Sequence, residues 1–424
     1  SKTTATTADD YLAQARASVR KKGREKTIIR LAEQSLKLRT STEGFFLAAN
    51  AKYHLGDYKG SIFDLNKALE IEKSDSIMVP LIYNNLGNSK DNSGDHEGAI
   101  SDYSKAIIIF PDYAQSYYNR GLARTRLGHY QKAIFDYDQA IKLDSRYVNA
   151  YLNRGNAKAN LGDAHGAISD YSRELNVNPL NVQAYRNRAD EKRKLGDYKG
   201  AISDYNKIIG INPSYAHVYS RRGDIKMDSG DYSGAILDYT QELETGLKDN
   251  ISYFGLEIIV SVNGTTISDQ NSLANKLISA GNKESHLYTK RGLAKKKLGD
   301  ASGAINDYNE ALETDPKNPI ILSNRGSAKH LLGDYKGAIM DFNQVLIIDP
   351  QDGLTYGNRG SSKYNLGDYY GALLDYSKAI DNHPKKAIMY SYRGDVRHEL
   401  GDYQGAIADF NKALEIDPQD DAAY

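Results

Sequence analysis

The sequence predicts an all-α solenoid of stacked helix–turn–helix units. Three features predict it: a fixed 34-residue step, a Gly-Asp turn at each step, and apolar residues at helical spacing on both sides of the turn. The turn appears as Gly56-Asp57, Gly94-Asp95, Gly162-Asp163, Gly196-Asp197, Gly230-Asp231, Gly299-Asp300, Gly333-Asp334, Gly367-Asp368 and Gly401-Asp402, with Gly128-His129 filling the one gap in the first run. The step is 34 residues four times running from Gly94 to Gly230, and three times from Gly299 to Gly401. A chain with such a period is a row of units that contact their neighbours, and its long surface suits holding other molecules better than catalysis.

The unit ending at Pro213 shows why each half is helical. Before Gly196, the residues Tyr185, Ala189 and Leu195 share one helical face. After it, Tyr198, Ala201, Ile202, Tyr205 and Ile208 recur at helical spacing. Gly196 permits the left-handed backbone that ends the first helix, here called helix A. Asp197 is a short carboxylate placed to cap helix B, and Pro213 stops it. Proline recurs at that phase as Pro111, Pro179, Pro213, Pro316, Pro350, Pro384 and Pro418, so it punctuates the units.

Composition narrows the function. Lys+Arg and Asp+Glu are both 55, for a net charge of zero, which argues against a nucleic-acid binder. There is no cysteine, hence no disulfide, thiol nucleophile or thiolate metal site. The nine histidines are scattered singly, and no phosphate loop, HExxH or GxSxG motif is present. The expectation is a non-enzymatic chain with no metal and no cofactor. No apolar run is long enough to span a membrane as a helix.

The pattern resembles the tetratricopeptide repeat. An early helix-A aromatic stands at Tyr117, Tyr151 and Tyr185, followed by a small residue at Gly121, Gly155 and Ala189. Helix B carries Ala133, Ala167, Ala201, Ala235, Ala304, Ala338, Ala372 and Ala406, each followed by a ring at Tyr137, Tyr171, Tyr205, Tyr239, Tyr308, Phe342, Tyr376 and Phe410. The resemblance implies a right-handed superhelix of about eleven units, with helix A lining the concave side and a peptide or partner protein bound there. One departure is systematic. The seventh helix-A place, Leu in the family, is Arg120, Arg154, Arg188, Arg222, Arg291, Arg325, Arg359 and Arg393, and the residue before the helix-B ring is Asp in all ten clear units. This is either an internal Arg–Asp pair or a charged ligand stripe; its invariant phase favours the pair.

The expected organisation is a polar, disordered tail over 1–8, a first repeat array over 9–246, an irregular stretch over 247–284, and a second array over 285–424. A diverged first unit lies near 9–41. The irregular stretch reads in two ways. Its length of about one unit suits a diverged repeat, whereas EIIVSVNGTTI around Asn263-Gly264 suits a hairpin followed by a helix. It also resembles part of a bacterial PDZ domain, and Tyr253–Ile258 is similar to that family's carboxylate-binding loop. Such an insert is expected to interrupt stacking and act as a hinge. Asp421–Tyr424 resembles the start of another helix A, so the chain is expected to continue beyond Tyr424.

Variable helix-A positions cluster at 149–228 and form the candidate peptide site: Asn156, Arg186, Asn187, Asp190, His217, Arg221 and Asp224. The resemblance gives some of them a role. In co-chaperones of this family a clamp of Lys, Asn and Arg side chains grips an acidic C-terminal peptide. Asn156, Asn187 and Arg221 occupy its ninth, sixth and sixth places in three successive units, while Leu152 and His217 stand where lysines belong. Arg186 is placed to compensate. Recurrence of the sixth-place Asn at Asn85, Asn119, Asn153, Asn324 and Asn358 suits a helix-linking role equally. The partner reading is therefore a scaffold for a protein or peptide. The alternatives are a receptor for acidic C-termini and the interaction module of a longer protease-like protein.

Overall fold

The computed structural model describes residues 7–19, 21, 23–73, 76–215, 217–245 and 284–418. Contacts divide the chain into two bodies, Ser1–Ile211 and Asn212–Tyr424, with the boundary between the sixth and seventh repeats. There are 22 helices and no strand among the described residues. None of these helices is long and apolar enough to cross a membrane.

The first body holds six helix pairs: α1 (Ala8–Val19) with α2 (Glu25–Leu38), α3 (Thr42–His54) with α4 (Tyr58–Ile71), α5 (Met78–Asn92) with α6 (His96–Ile109), α7 (Ala114–Arg126) with α8 (Tyr130–Leu143), α9 (Ala150–Asn160) with α10 (Ala164–Val177), and α11 (Val182–Lys194) with α12 (Tyr198–Ile211). The second holds five: α13 (Val218–Asp228) with α14 (232–245), α15 (284–297) with α16 (Ala301–Thr314), α17 (Pro319–Leu331) with α18 (Tyr335–Ile348), α19 (Gly353–Asn365) with α20 (Tyr369–Asn382), and α21 (Ala387–Glu399) with α22 (Tyr403–Ile416). Odd-numbered helices are A and even-numbered ones are B. Ala8 is already buried in α1, inside the span read as tail.

The turn works as the sequence implies, with one residue added. Gly196 takes φ +78°, and the equivalent glycines all lie near it. The following Asp side chain accepts a hydrogen bond from the amide of a second glycine, as Asp300 does from Gly303 at 2.8 Å. A Cβ on Gly303 would stand 2.1 Å from the Asp300 carboxylate, so the cap dictates the second glycine. The chain tests this itself: at Gly128 the capping residue is His129, its side chain makes no cap, and the second place is Lys132. Leu195, assigned to the apolar face, is instead the C-cap of α11 and stays exposed.

Small residues of helix A and rings of helix B make the thin core. A Cβ on Gly121 would sit 2.7 Å from the Tyr137 ring, and one on Gly326 2.8 Å from Phe342, so Gly lets the two helices close over the ring. Tyr103, Tyr137, Tyr171, Tyr205, Tyr239, Tyr308 and Phe342 are all fully buried.

Stacking does not break at the irregular stretch. In most repeats the helix-A arginine reaches 16 residues back to helix B of the preceding unit, as Arg188 Nη1 does to Ser172 Oγ at 2.9 Å and Arg325 Nη1 to Asn309 Oδ1 at 2.8 Å. Arg291 makes the same bond to Thr240 Oγ1 at 3.1 Å across 51 residues. The neighbouring Lys290 Nζ binds both oxygens of Asp224 at 2.7 Å. Thus α15 packs on the repeat of α13 and α14 as any next unit would. The expectation that this stretch separates its neighbours is corrected; residues 246–283 themselves lie outside the described residues. Replacing 246–283 by the four residues Asp349–Asp352 that join α18 to α19 is expected to leave the array folded. Shortening the loop should add about 2 kcal/mol or less of stability. A fall in the melting temperature by circular dichroism would show that the stretch is structurally required.

Candidate functional site

Within each body, successive A helices touch one another: α3 with α5, α5 with α7, α7 with α9 and α9 with α11 in the first, α17 with α19 and α19 with α21 in the second. Their facing side chains form the candidate surface. Two polar systems run along it.

The first is the Arg–Asp ladder. In eight repeats the arginine grips the Asp of its own helix B with Nε and Nη2, as in Arg188 to Asp204 at 2.9 and 2.6 Å. Arg120–Asp136, Arg154–Asp170, Arg222–Asp238, Arg291–Asp307, Arg325–Asp341, Arg359–Asp375 and Arg393–Asp409 repeat it. The carboxylates are almost wholly buried, and the hydrogen bonds that Arg291, Arg359 and Arg393 donate to Asp307, Asp375 and Asp409 raise the basicity of these arginines. In seven repeats the guanidinium also lies over the aromatic ring three residues earlier, as Arg188 does over Tyr185 at 5.5 Å. The internal-pair reading is therefore the observed one. A second cation, one helical turn after the arginine, completes each rung: Lys192 Nζ lies 2.9 Å from Asp204 Oδ2, and Arg124 Nη1 2.7 Å from Asp136. The first three repeats lack the arginine, with Ala15, Ala48 and Leu86 at its place. In the second of them, Lys52 alone holds Asp64 within helix-A reach, and burial outweighs that single lysine to raise the Asp64 carboxyl above its ordinary range.

The second system is a ladder of amides and acids on helix A. Asn156 Oδ1 accepts from Tyr171 Oη at 2.9 Å and from Asn187 Nδ2 at 2.7 Å. Asn85 donates likewise to Asn50 at 2.9 Å, Asn119 to Asn88 at 3.0 Å, and Asn153 to Tyr118 Oη at 2.8 Å. The sixth-place amides thus link successive A helices.

The predicted site residues divide between the two bodies. In the first, Asn156 and Asn187 are bonded to each other, Asp190 accepts from Tyr205 Oη at 3.2 Å, and Arg186 has no ion-pair partner among the described residues; its Nε is buried without a hydrogen bond. In the second, Asp224 is neutralised by Lys290 and accepts from Tyr239 Oη at 2.8 Å. His217 takes a left-handed φ of 59° at the N-cap of α13, with Nδ1 3.3 Å from Glu242 Oε1, and Arg221 is exposed. Glu242 and the fully buried Glu174 stand where most other repeats have an aliphatic residue, and α13 and α9 each begin after a left-handed residue, His217 and Asn149. Neither effect was foreseen from the sequence, although a Glu at an Ala phase was its visible signal. Among the described residues, no cluster of His, Asp and Glu could hold a metal.

Comparison with known proteins agrees with this construction. Tetratricopeptide-repeat family models match residues 42–75, 152–216 and 358–421, and a model described as TPR repeat matches 92–128, 121–162 and 292–333. Together they span well over half of the chain. None of them covers the PDZ-like stretch, and that resemblance has no support. No curated protein matches the chain. Among solved structures, MamA is 25% identical over 39% of this chain and 96% of its own, with a TM-score of 0.38. A tetratricopeptide repeat protein from Parabacteroides merdae is 20% identical over 70% of this chain and 98% of its own, with a TM-score of 0.41. The APC/C hetero-tetramer Cut9-Hcn1 is 15% identical over 98% of this chain and 95% of its own, with a TM-score of 0.34. With the family models spanning most of its repeats, and with the helix pairs, glycine turns and buried rings in place, the chain belongs to the tetratricopeptide-repeat family.

Proposed function

We propose that the chain is a non-enzymatic scaffold that holds an extended segment of a partner protein along its A helices. Proteins of this repeat family are generally interaction scaffolds. The observation that supports the finer reading is the row of sixth-place amides: Asn85, Asn119, Asn153 and Asn187 in the first body, Asn324 and Asn358 in the second. An amide offers a donor and an acceptor, as a peptide unit does. Packed helices are spaced by about 8–10 Å, and an extended chain covers that distance in about three residues. One amide per repeat therefore matches every third residue of an extended segment. The bonds among the amides hold the row in position before a ligand arrives.

Arg186 favours a second, narrower reading, a receptor for acidic peptide ends. Among the described residues its guanidinium has no carboxylate, and its buried Nε has no acceptor. A partner carboxylate would supply both. The PDZ-like resemblance was the ground for the protease-module reading, which has no other support. The test is to pan a displayed library of short peptides on the full chain and on its Arg186→Ala variant. Enrichment on the full chain is expected. For peptides with an acidic residue, Arg186→Ala should cost about 1.5–3 kcal/mol of binding, and added salt should weaken the wild-type complex. Failure of any peptide to enrich would reject the scaffold reading. Equal affinity in the variant would reject the role of Arg186.

A further inference from the structure

The lysine-rich helix α15 carries Lys290, Arg291, Lys295, Lys296 and Lys297. Three of these cations are matched: Lys290 by Asp224, and Arg291 and Lys295 by Asp307. Lys297 is exposed to water. Lys296 is different. It is half-buried between α15 and α17, and the only polar partner of its ammonium among the described residues is the neutral Asn324 Oδ1, at 3.0 Å. Burial, with the neighbouring Lys297 as a lesser cause, makes it easier to deprotonate than an ordinary lysine. Every described rung cation on α15 and α17 has a carboxylate, with Arg325 and Lys329 sharing Asp341. Nearby His330 is no substitute, because its ring bonds Ser362 Oγ at 2.9 Å and burial lowers its basicity. One repeat further on, Asn358 is exposed, and its amide has no described partner.

A desolvated ammonium without a counter-ion is costly, and an arriving carboxylate removes that cost. Asn324 still has its Nδ2 donor to offer beside it. We propose that Lys296 and Asn324 form a docking point for an acidic side chain of the bound peptide, so that the second body selects partners with Asp or Glu at one fixed place. This rests on the reading of the A helices as a peptide surface. Lys296 occupies helix-A place twelve, three residues before the turn glycine Gly299, whereas the clamp expected from the sequence uses earlier places.

The experiment pans the displayed peptide library on the full chain, on Lys296→Met and on Lys297→Met. Methionine retains the apolar stem packing of lysine and removes its charge. Peptides selected by the wild type are expected to share one acidic position, which Lys296→Met loses while keeping the rest of the consensus. In the best peptide, Glu→Gln at that position should weaken wild-type binding about tenfold and leave Lys296→Met binding nearly unchanged. Lys297→Met should behave as wild type. The proposal is overturned if the wild-type consensus has no acidic position, if Lys296→Met keeps it, or if Glu→Gln weakens both proteins equally. Enrichment of neutral peptides alone would overturn it while leaving the scaffold reading intact; no enrichment at all would remove both.

Discussion

Replacing Asp204 with alanine is expected to cost about 3–5 kcal/mol of stability in its repeat. Asp204 is 2% exposed and receives Arg188 on both oxygens and Lys192 on one. Its loss leaves two partly buried cations without the carboxylate that neutralises them. Arg188→Leu, which restores the family residue, should cost clearly less, because Lys192 still holds the carboxylate. The third repeat already has this arrangement: Leu86 stands at the arginine place, and Lys90 lies 2.6 Å from Asp102 Oδ2. That ion pair is placed too obliquely for a hydrogen bond, and Oδ2 is buried without one, so the arrangement is viable but weaker. Combining Arg188→Leu with Asp204→Ala should cost less than the sum of the two, since only Lys192 remains and its long stem lets the ammonium reach water. Denaturant unfolding of the four proteins, with hydrogen exchange to localise the effect, measures the coupling. An Asp204→Ala protein as stable as Arg188→Leu would show that the rung is surface decoration.

The repeat was legible in the sequence because its causes are local. A left-handed glycine, a capping Asp and a ring over a small residue each act within one unit, so each prints itself at the 34-residue step. The Arg188–Asp204 pair was legible for the same reason. Lys192 was not, since a lysine on a polar helix face has the same signature whether it meets water or a buried carboxylate. The second turn glycine was likewise missed, because its role depends on where the Asp side chain points. The site was harder to read. Asn156 and Asn187 are the right residue types for gripping a carboxylate, but the same amides also satisfy one another across neighbouring helices, and sequence spacing does not distinguish these uses. The stacking of α15 on α14 was hidden altogether. It depends on Arg291 finding Thr240 across 51 residues, a contact with no local trace.

The array is expected to unfold in alkali, between the pKa of a free phenol, near about 10, and the higher values imposed by its core. Tyr103, Tyr137, Tyr171, Tyr308 and Tyr376 are at most 3% exposed, and burial pushes each phenol far above its ordinary range; Tyr147, less deeply placed, is raised to about 12. The sign follows from proton binding. Below the unfolded-state pKa both states hold the proton, and the core contributes its full stability. Above it the unfolded chain ionises while the folded chain does not, so stability falls as pH rises. Each fully buried tyrosine loses about 1.4 kcal/mol per pH unit in that window. Three such rings in the first body therefore remove about 4 kcal/mol per unit, comparable to the whole stability of a small domain. Phenylalanine already serves at this phase as Phe342, fully buried, so the ring and not the hydroxyl makes the packing. Tyr137→Phe gives up a 3.0 Å bond to Thr125 Oγ1 and should cost about 1 kcal/mol near neutral pH. It should nevertheless move the alkaline midpoint upward, because one ionising group is gone. Phenolate absorbance and helical circular dichroism, followed together, check this: part of the phenolate signal should appear only as helix is lost. Full ionisation with the helical signal intact would mean that the buried rings do not govern alkaline stability.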